Sequence, residues 1–430
     1  MPRVAILGAG IGGLAAAHHL TVRAAERGNS LDVVVLEAAD RPGGWLATEH
    51  CEGSLLERGP DTLVTHKPAG LRLCERLGLV GRLVYRPLGR IDILDEGRLV
   101  PLPPGFSLAV GADRSPGSED LADESVASYV RRRFGDELYR RFYEPVVGGL
   151  FMADTEELSL AASFPRRPGP GSGPGPSGPP AQPPAATLDG GLGQIVSALV
   201  DRLPAGSLRL CQQVQRLIHE GQGFLLNLAG GPPLAADAVL IALPAHAAAV
   251  LLAELDPALA GELGQIAYAS AVTVHLAWSC PAVERPPREY GFFVPRTAGS
   301  PVVAATFVSV KHPERTPEDQ FVVRIYLGGA LHPEAIGRTD AELVETSERL
   351  LAPLLGIGGA PLWSRVWRHP SSMPQRRVGH PALVARLRAR LGAHPGLEFA
   401  GGPVGAYGLA DSIAEGEAAA ERLLGLLTLP

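Results

Sequence analysis

Short apolar runs separated by glycine turns open the chain. Arg3–Leu7 has the length of a buried strand, Ile11–Arg27 carries Ala and Leu at helical spacing, and Leu31–Leu36 is a second apolar run. Together they predict a βαβ unit, the start of a Rossmann-type α/β domain. A Gly- and Arg-rich loop is expected from there to about Gly59. Further on, Val126, Tyr129, Val130, Phe134, Leu138 and Phe142 recur every three to four residues, as on one helix face, until Gly148-Gly149 ends the pattern. From Leu188 an amphipathic helix leads to strand-like runs at Leu208–Leu210, Val214–Ile218, Phe224–Leu228 and Ala238–Leu243. Val272–Trp278, Gly291–Pro295, Val302–Val308 and Phe321–Leu327 read as strands of one large sheet. Strand Leu397–Ala400, a glycine turn and helix Asp411–Leu427 close the chain.

Composition narrows this picture. The chain has 430 residues, long enough for two or three domains, and a net charge of −6 with no basic tail, which argues against a nucleic-acid partner. Lys67 and Lys311 are its only lysines, so 37 of the 39 basic residues are arginine. Cys51, Cys74, Cys211 and Cys280 lie far apart, without metal-ligand spacing, and a reduced, metal-free, cytoplasmic protein is expected. The most apolar later stretch, Ala235–Leu255, is interrupted by Pro244 and His246, so no membrane span is predicted. Peripheral contact with the inner face of the membrane stays open, as does a homodimer. Pro165–Pro184 holds nine prolines and five glycines and is expected to be flexible or polyproline-like.

The first turn carries chemistry. Gly8-Ala9-Gly10-Ile11-Gly12-Gly13 contains G-x-G-x-x-G between a strand and a helix. Gly8 permits the turn, Gly10 lets the backbone approach a pyrophosphate, and Gly13 lets helix and strand pack closely. The helix N-terminus adds unpaired N–H groups and positive potential. Glu37, ending the second strand, can accept both hydroxyls of a ribose and disfavours a 2′-phosphate. Ala38, Arg41, Gly43, Gly44 and Trp45 follow, an acid–arginine–paired-glycine string far more specific than the glycine hexapeptide.

That string resembles the second half of the FAD-binding signature of the flavin amine oxidase superfamily. Further segments resemble one branch, the oxygen-dependent protoporphyrinogen oxidases: Glu57-Arg58-Gly59-Pro60-Asp61, Thr187–Leu192, Ala242-Leu243-Pro244-Ala245, Tyr290–Pro295, Gly328-Gly329-Ala330, Met373-Pro374-Gln375, and the closing Ala400-Gly401 with Gly408–Ile413. The sequence departs from the branch's pattern at Gly402, Arg376 and His312-Pro313.

The resemblance implies a non-covalent FAD, contacted also by Gly59, Pro60, Asp61, Val214, Ala242, Gly401, Gly408, Leu409, Asp411, Ser412 and Ile413. It implies oxidation of protoporphyrinogen IX to protoporphyrin IX in haem biosynthesis, by three hydride transfers to flavin N5, with dioxygen as acceptor and hydrogen peroxide released. No catalytic side chain is assigned. Arg58 and Arg376 are candidates for the substrate's carboxylates, and Phe292 and Phe293 for an apolar wall. True amine oxidases commonly place a lysine near N5; the comparable strand, Ala271–Trp278, has none. A diverged oxidase or desaturase of another pyrrolic or conjugated metabolite, and a flavin-binding partner protein without catalysis, stay open. The expected organisation is an FAD-binding domain of segments 1–67, 186–250 and 395–430, a helical and possibly membrane-facing subdomain at 68–164, the Pro/Gly segment 165–185, and an α+β substrate-binding sheet domain at 251–394.

Overall fold

The computed structural model describes residues 1–87, 89–104, 106, 123–165, 183–402 and 405–427. The expectation of a flexible or polyproline-like tract at 165–184 falls almost wholly outside the described residues.

Five strands form a parallel sheet in the order Leu208–Arg209, Asp32–Leu36, Arg3–Leu7, Ala238–Ile241 and Leu397–Phe399. Its three central strands are buried on both faces, as parallel strands covered by helices must be, which is why they read as unbroken apolar runs. Helix Ile11–Glu26 and the C-terminal helix Leu409–Leu427 cross on one face. There Gly12 and Gly416 let the backbones touch: a Cβ on Gly416 would collide with the Gly12 carbonyl.

The second sheet has seven strands, in the order Trp363–Pro374, Tyr268–Ser279, Gln320–Gly328, Val302–Phe307, Gly291–Phe293, Ile91–Asp95 and Arg98–Pro101. Its two faces differ. Val272, Val274, Leu276, Val323, Ile325 and Phe307 point to one side and form a core with Leu343, Leu351 and Leu355 of helix Asp340–Leu355. That helix starts at a capping box between Thr339 and Glu342. The other face is polar and aromatic. Cross-strand pairing puts His275, Arg324 and Thr306 in one row, and Trp367, Thr273 and Tyr326 in the next.

Three expectations are corrected. The stretch after Trp45 is not all loop, since Thr48–Cys51 and Ser54–Glu57 form a hairpin. The helix expected from Leu188 begins at Gly193, because Ala185–Leu188 is a strand. Gly148-Gly149 does not end a helix: Glu144–Phe151 runs through both, and Phe293 fills the space a Cβ on Gly149 would need, 2.5 Å away. The break lies at Gly135, whose φ of +89° no ordinary side chain adopts cheaply, followed by a wide turn at Tyr139–Tyr143. Val126, Tyr129, Val130 and Phe142 are buried, whereas Phe134 at the helix end and Leu138 just past Gly135 are exposed.

No helix among the described residues is long and apolar enough to cross a membrane.

Candidate functional site

The glycine turn is built as its spacing requires. Gly8 has φ +98°, and a Cβ there would lie 2.7 Å from the Ala242 carbonyl. A Cβ on Gly13 would collide with the Gly8 carbonyl. Gly10 is different: its added Cβ would meet nothing within 4 Å, so its backbone borders open space at the start of helix Ile11–Glu26. Gly401, Gly405 and Gly408, in the segment between strand Leu397–Phe399 and the C-terminal helix, likewise have nothing within 4 Å of an added Cβ. A cradle of bare backbone beside helix N-termini is what a dinucleotide pyrophosphate needs, and the residues present fit FAD.

The neighbouring groups are tied to this cradle. The N–H groups of Ala9 and Ala39 donate to the Glu37 carboxylate at 2.7 and 2.9 Å, fixing it beside the turn. Gly43 N–H donates to Ala9 O, and Gly44, with φ +56°, lies against Gly10. Arg41 Nη2 donates to Gly44 O, so the arginine holds the paired glycines in place. Val214 follows a stretch in which Gln212 N–H donates to the Glu37 carbonyl, and Ala242 N–H donates to Leu7 O. Ile11 and Gly12 open the first helix, with Gly12 close to the Ser412 carbonyl. Leu409 and Ile413 are core residues. Ala38, Trp45 and Pro60 are exposed.

Trp45 links the cradle to the second sheet. Its carbonyl leaves no room for a Cβ on Gly59, and its ring meets His369 edge-on, 4.8 Å between centroids. The hairpin 48–57 lies on the polar face of the sheet, where Cys51 and Leu56 pack on Trp363 and Trp367. The candidate site is therefore a seam between the glycine cradle, the segment Glu57–Asp61 and the row Thr273, His275, Arg324, Tyr326, Trp367 and His369. At its far end Tyr407 Oη donates to Leu150 O of helix Glu144–Phe151.

Cations from strand Gln320–Gly328 and from the helix and turn that precede it, Val308–Lys311 and Pro313–Arg315, clamp the segment Glu57–Asp61. Lys311 Nζ lies 2.9 Å from both Asp61 oxygens, with His312 Nε2 at 3.8 Å. Burial raises the Asp61 pKa, but Lys311, His312 and Arg324 outweigh it and hold the carboxyl well below its usual range. Arg315, 3% exposed, donates to Glu57, Thr187 and the Leu188 carbonyl. Glu57 also accepts from Thr48 and Leu192 N–H, and burial raises its pKa. Arg324 Nη2 donates to the Arg58 carbonyl at 3.1 Å. The second lysine, Lys67, pairs with Asp411 at 2.7 Å, on the first turn of the C-terminal helix. Both lysines of the chain thus engage aspartates in segments expected to face the cofactor.

The expected substrate residues separate. Arg58 stands over the Trp367 ring and pairs with Glu49 at 2.7 Å. Arg376 is buried, its two terminal nitrogens donating to the Ala162 and Gly405 carbonyls, so it ties two segments together. Phe292 is core beside Phe307, while Phe293 packs on Gly149. Lys311, Arg315, Arg324, Thr273, His275 and His369 were not anticipated. Period-two alternation within Ala271–Trp278 and Phe321–Leu327 carried the signal for Thr273, His275 and Arg324. Glu57 and Asp61 lie in a segment the sequence singled out, but nothing in the sequence marked Arg315 and Lys311 as their partners.

A family model described as flavin containing amine oxidoreductase matches residues 11–424. A Bacillus subtilis (strain 168) protein named coproporphyrinogen III oxidase is 30% identical, the alignment covering 99% of this chain and 98% of that protein. A Spinacia oleracea protein named protoporphyrinogen oxidase 1, chloroplastic, is 27% identical over 97% of this chain and 83% of its own length. A solved structure from Exiguobacterium sp. 255-15, provisionally named protoporphyrinogen oxidase, superposes with a TM-score of 0.82 at 26% identity, covering 98% of each chain.

Proposed function

The chain belongs to the flavin-containing amine oxidoreductase family, and from that premise we propose that it oxidises a porphyrinogen to the porphyrin in haem biosynthesis, with coproporphyrinogen III as substrate. It is an FAD-dependent oxidoreductase. The observation that carries the substrate reading is the end-to-end similarity, at 30% identity, to a protein named for that activity.

A bound flavin would supply the redox chemistry, as a two-electron carrier between a porphyrinogen and dioxygen. The chain's own residues hold and shield. Gly10, Gly401 and Gly408 would offer bare backbone to the pyrophosphate and ring, and Glu37, held by the Ala9 and Ala39 N–H groups, would accept the ribose hydroxyls. Binding is non-covalent. Trp367, Tyr326 and Thr273 form a wall of the seam against which a flat macrocycle would lie, out of contact with water. Arg58, half-buried on the Trp367 ring, is placed to exchange Glu49 for a substrate carboxylate.

Protoporphyrinogen IX is the second reading, favoured by the spinach relative. Anaerobic mixing with each porphyrinogen separates the two. Coproporphyrinogen III is expected to bleach the flavin at least tenfold faster, and air to restore the colour with porphyrin fluorescence. Faster bleaching by protoporphyrinogen IX would transfer the assignment to the second reading. A flavin bleached by neither would remove the porphyrinogen reading altogether.

A further inference from the structure

The clamp on Glu57–Asp61 does not balance its charges. Arg58 is matched by Glu49, Lys311 by Asp61 and Arg315 by Glu57. Arg324 is 4% exposed, and among the described residues no carboxylate pairs with it. Its Nη2 donates to a backbone carbonyl, its guanidinium lies 4.6 Å from the Tyr326 ring centroid, and its buried Nε has no hydrogen-bond partner. Its histidine neighbours do not add charge. Burial, then the guanidinium itself, keeps His275 neutral well below its ordinary pKa, and His369 is lowered to about 4 for the same reasons. Asp61 also feels this guanidinium but is shared with Lys311, so four cations (Arg58, Lys311, Arg315 and Arg324) face three carboxylates (Glu49, Asp61 and Glu57), and the cluster behind the Arg58–Asp61 segment carries one positive charge in excess.

A buried charge without a counter-ion is expensive unless it serves an anion that is present for part of the cycle. The substrate's carboxylates are permanent anions. The flavin changes charge: a hydride added to the neutral oxidised ring leaves a reduced ring carrying −1. We infer that Arg324 is a positioning residue for this charge, a fixed cation that favours the anionic reduced flavin from behind the Arg58–Asp61 segment. The inference rests on the flavin assignment and needs no porphyrinogen.

Sulfite tests it directly, because it adds to oxidised flavin and creates the same ring charge without any substrate. The FAD-loaded protein is compared with Arg324→Met, Arg324→Gln, Arg324→Lys and Arg349→Gln, the last removing a distant exposed charge on helix Asp340–Leu355. Both neutral variants are expected to raise the sulfite Kd at least tenfold. They should also lower the two-electron midpoint potential by about 30 mV or more, the equivalent of that tenfold change. Arg324→Lys should stay near wild type, and Arg349→Gln should match it. The Gln variant keeps a donor for the Arg58 carbonyl, so it serves if Met at this position prevents folding. Wild-type sulfite affinity and potential in a neutral, FAD-loaded variant would overturn the inference. So would a rise in porphyrinogen KM alone, which would make Arg324 a substrate-carboxylate ligand instead. Failure of porphyrinogen to bleach the wild-type flavin would leave the sulfite result untouched.

Discussion

Gly10 and Gly13 are three residues apart in one motif yet do opposite jobs. Gly13 lacks a side chain because the Gly8 carbonyl occupies the space, whereas Gly10 borders an opening. Gly10 also has an ordinary φ of −67°, so alanine is tolerated by the backbone. Gly10→Ala is therefore expected to leave the melting temperature of the apoprotein within about 2 °C, a surface-type effect, while weakening FAD at least tenfold. Gly13→Ala should instead cost stability by several kcal/mol, as overpacking of a tight contact does. Fluorescence titration with FAD and a thermal melt of each apoprotein check both. The spacing of the motif already read Gly13 as a packing position and Gly10 as open to a ligand; the structure adds that the atom filling the space at Gly13 is the Gly8 carbonyl oxygen.

At the scale of elements, alternation decides what a strand can do. The sequence Val272–Trp278 reads as apolar, yet Thr273 and His275 share one face of it and meet Tyr326 and Arg324 across the sheet. The long edge strand Trp363–Pro374 and helix Asp340–Leu355 were not anticipated, since the strand mixes arginine, tryptophan and proline and is largely half-buried. The pair Glu57–Arg315 joins the hairpin to strand Ala185–Leu188 and to the turn before helix Gly193–Val200. Arg315→Met alone leaves a buried carboxylate and is expected to cost about 3–5 kcal/mol. Arg315→Met with Glu57→Gln should recover part of that loss, and urea unfolding of the four proteins in the cycle measures the coupling. Simple additivity would show that the two side chains act separately.

For the whole molecule, burial of neutral histidines sets the response to acid. His18, His369 and His380 are each lowered to about 4, burial being the largest cause. Unfolded histidines take up protons below about pH 6.5, and the folded ones do not until about pH 4, so the unfolded state binds more protons between those values. Stability must then fall as pH falls through that window, by up to about 4 kcal/mol per pH unit for three protons. Glu57 and Glu144, raised by burial, oppose this around the carboxylate range. Urea midpoints at pH 7, 6 and 5 are expected to drop steeply; a flat profile would mean that these histidines are solvated. The sequence by itself determined the dinucleotide turn, the acid at its second strand, the terminal helix and the flavoprotein resemblance, because each is local or carried by a motif of fixed spacing. Only the tertiary structure decided that Arg376 is a tether, that two lysines serve Asp61 and Asp411, and that Arg324 forms no ion pair among the described residues. Charge balance depends on which side chains approach within a few ångströms across distant segments, and Lys311 and Asp61 are 250 positions apart.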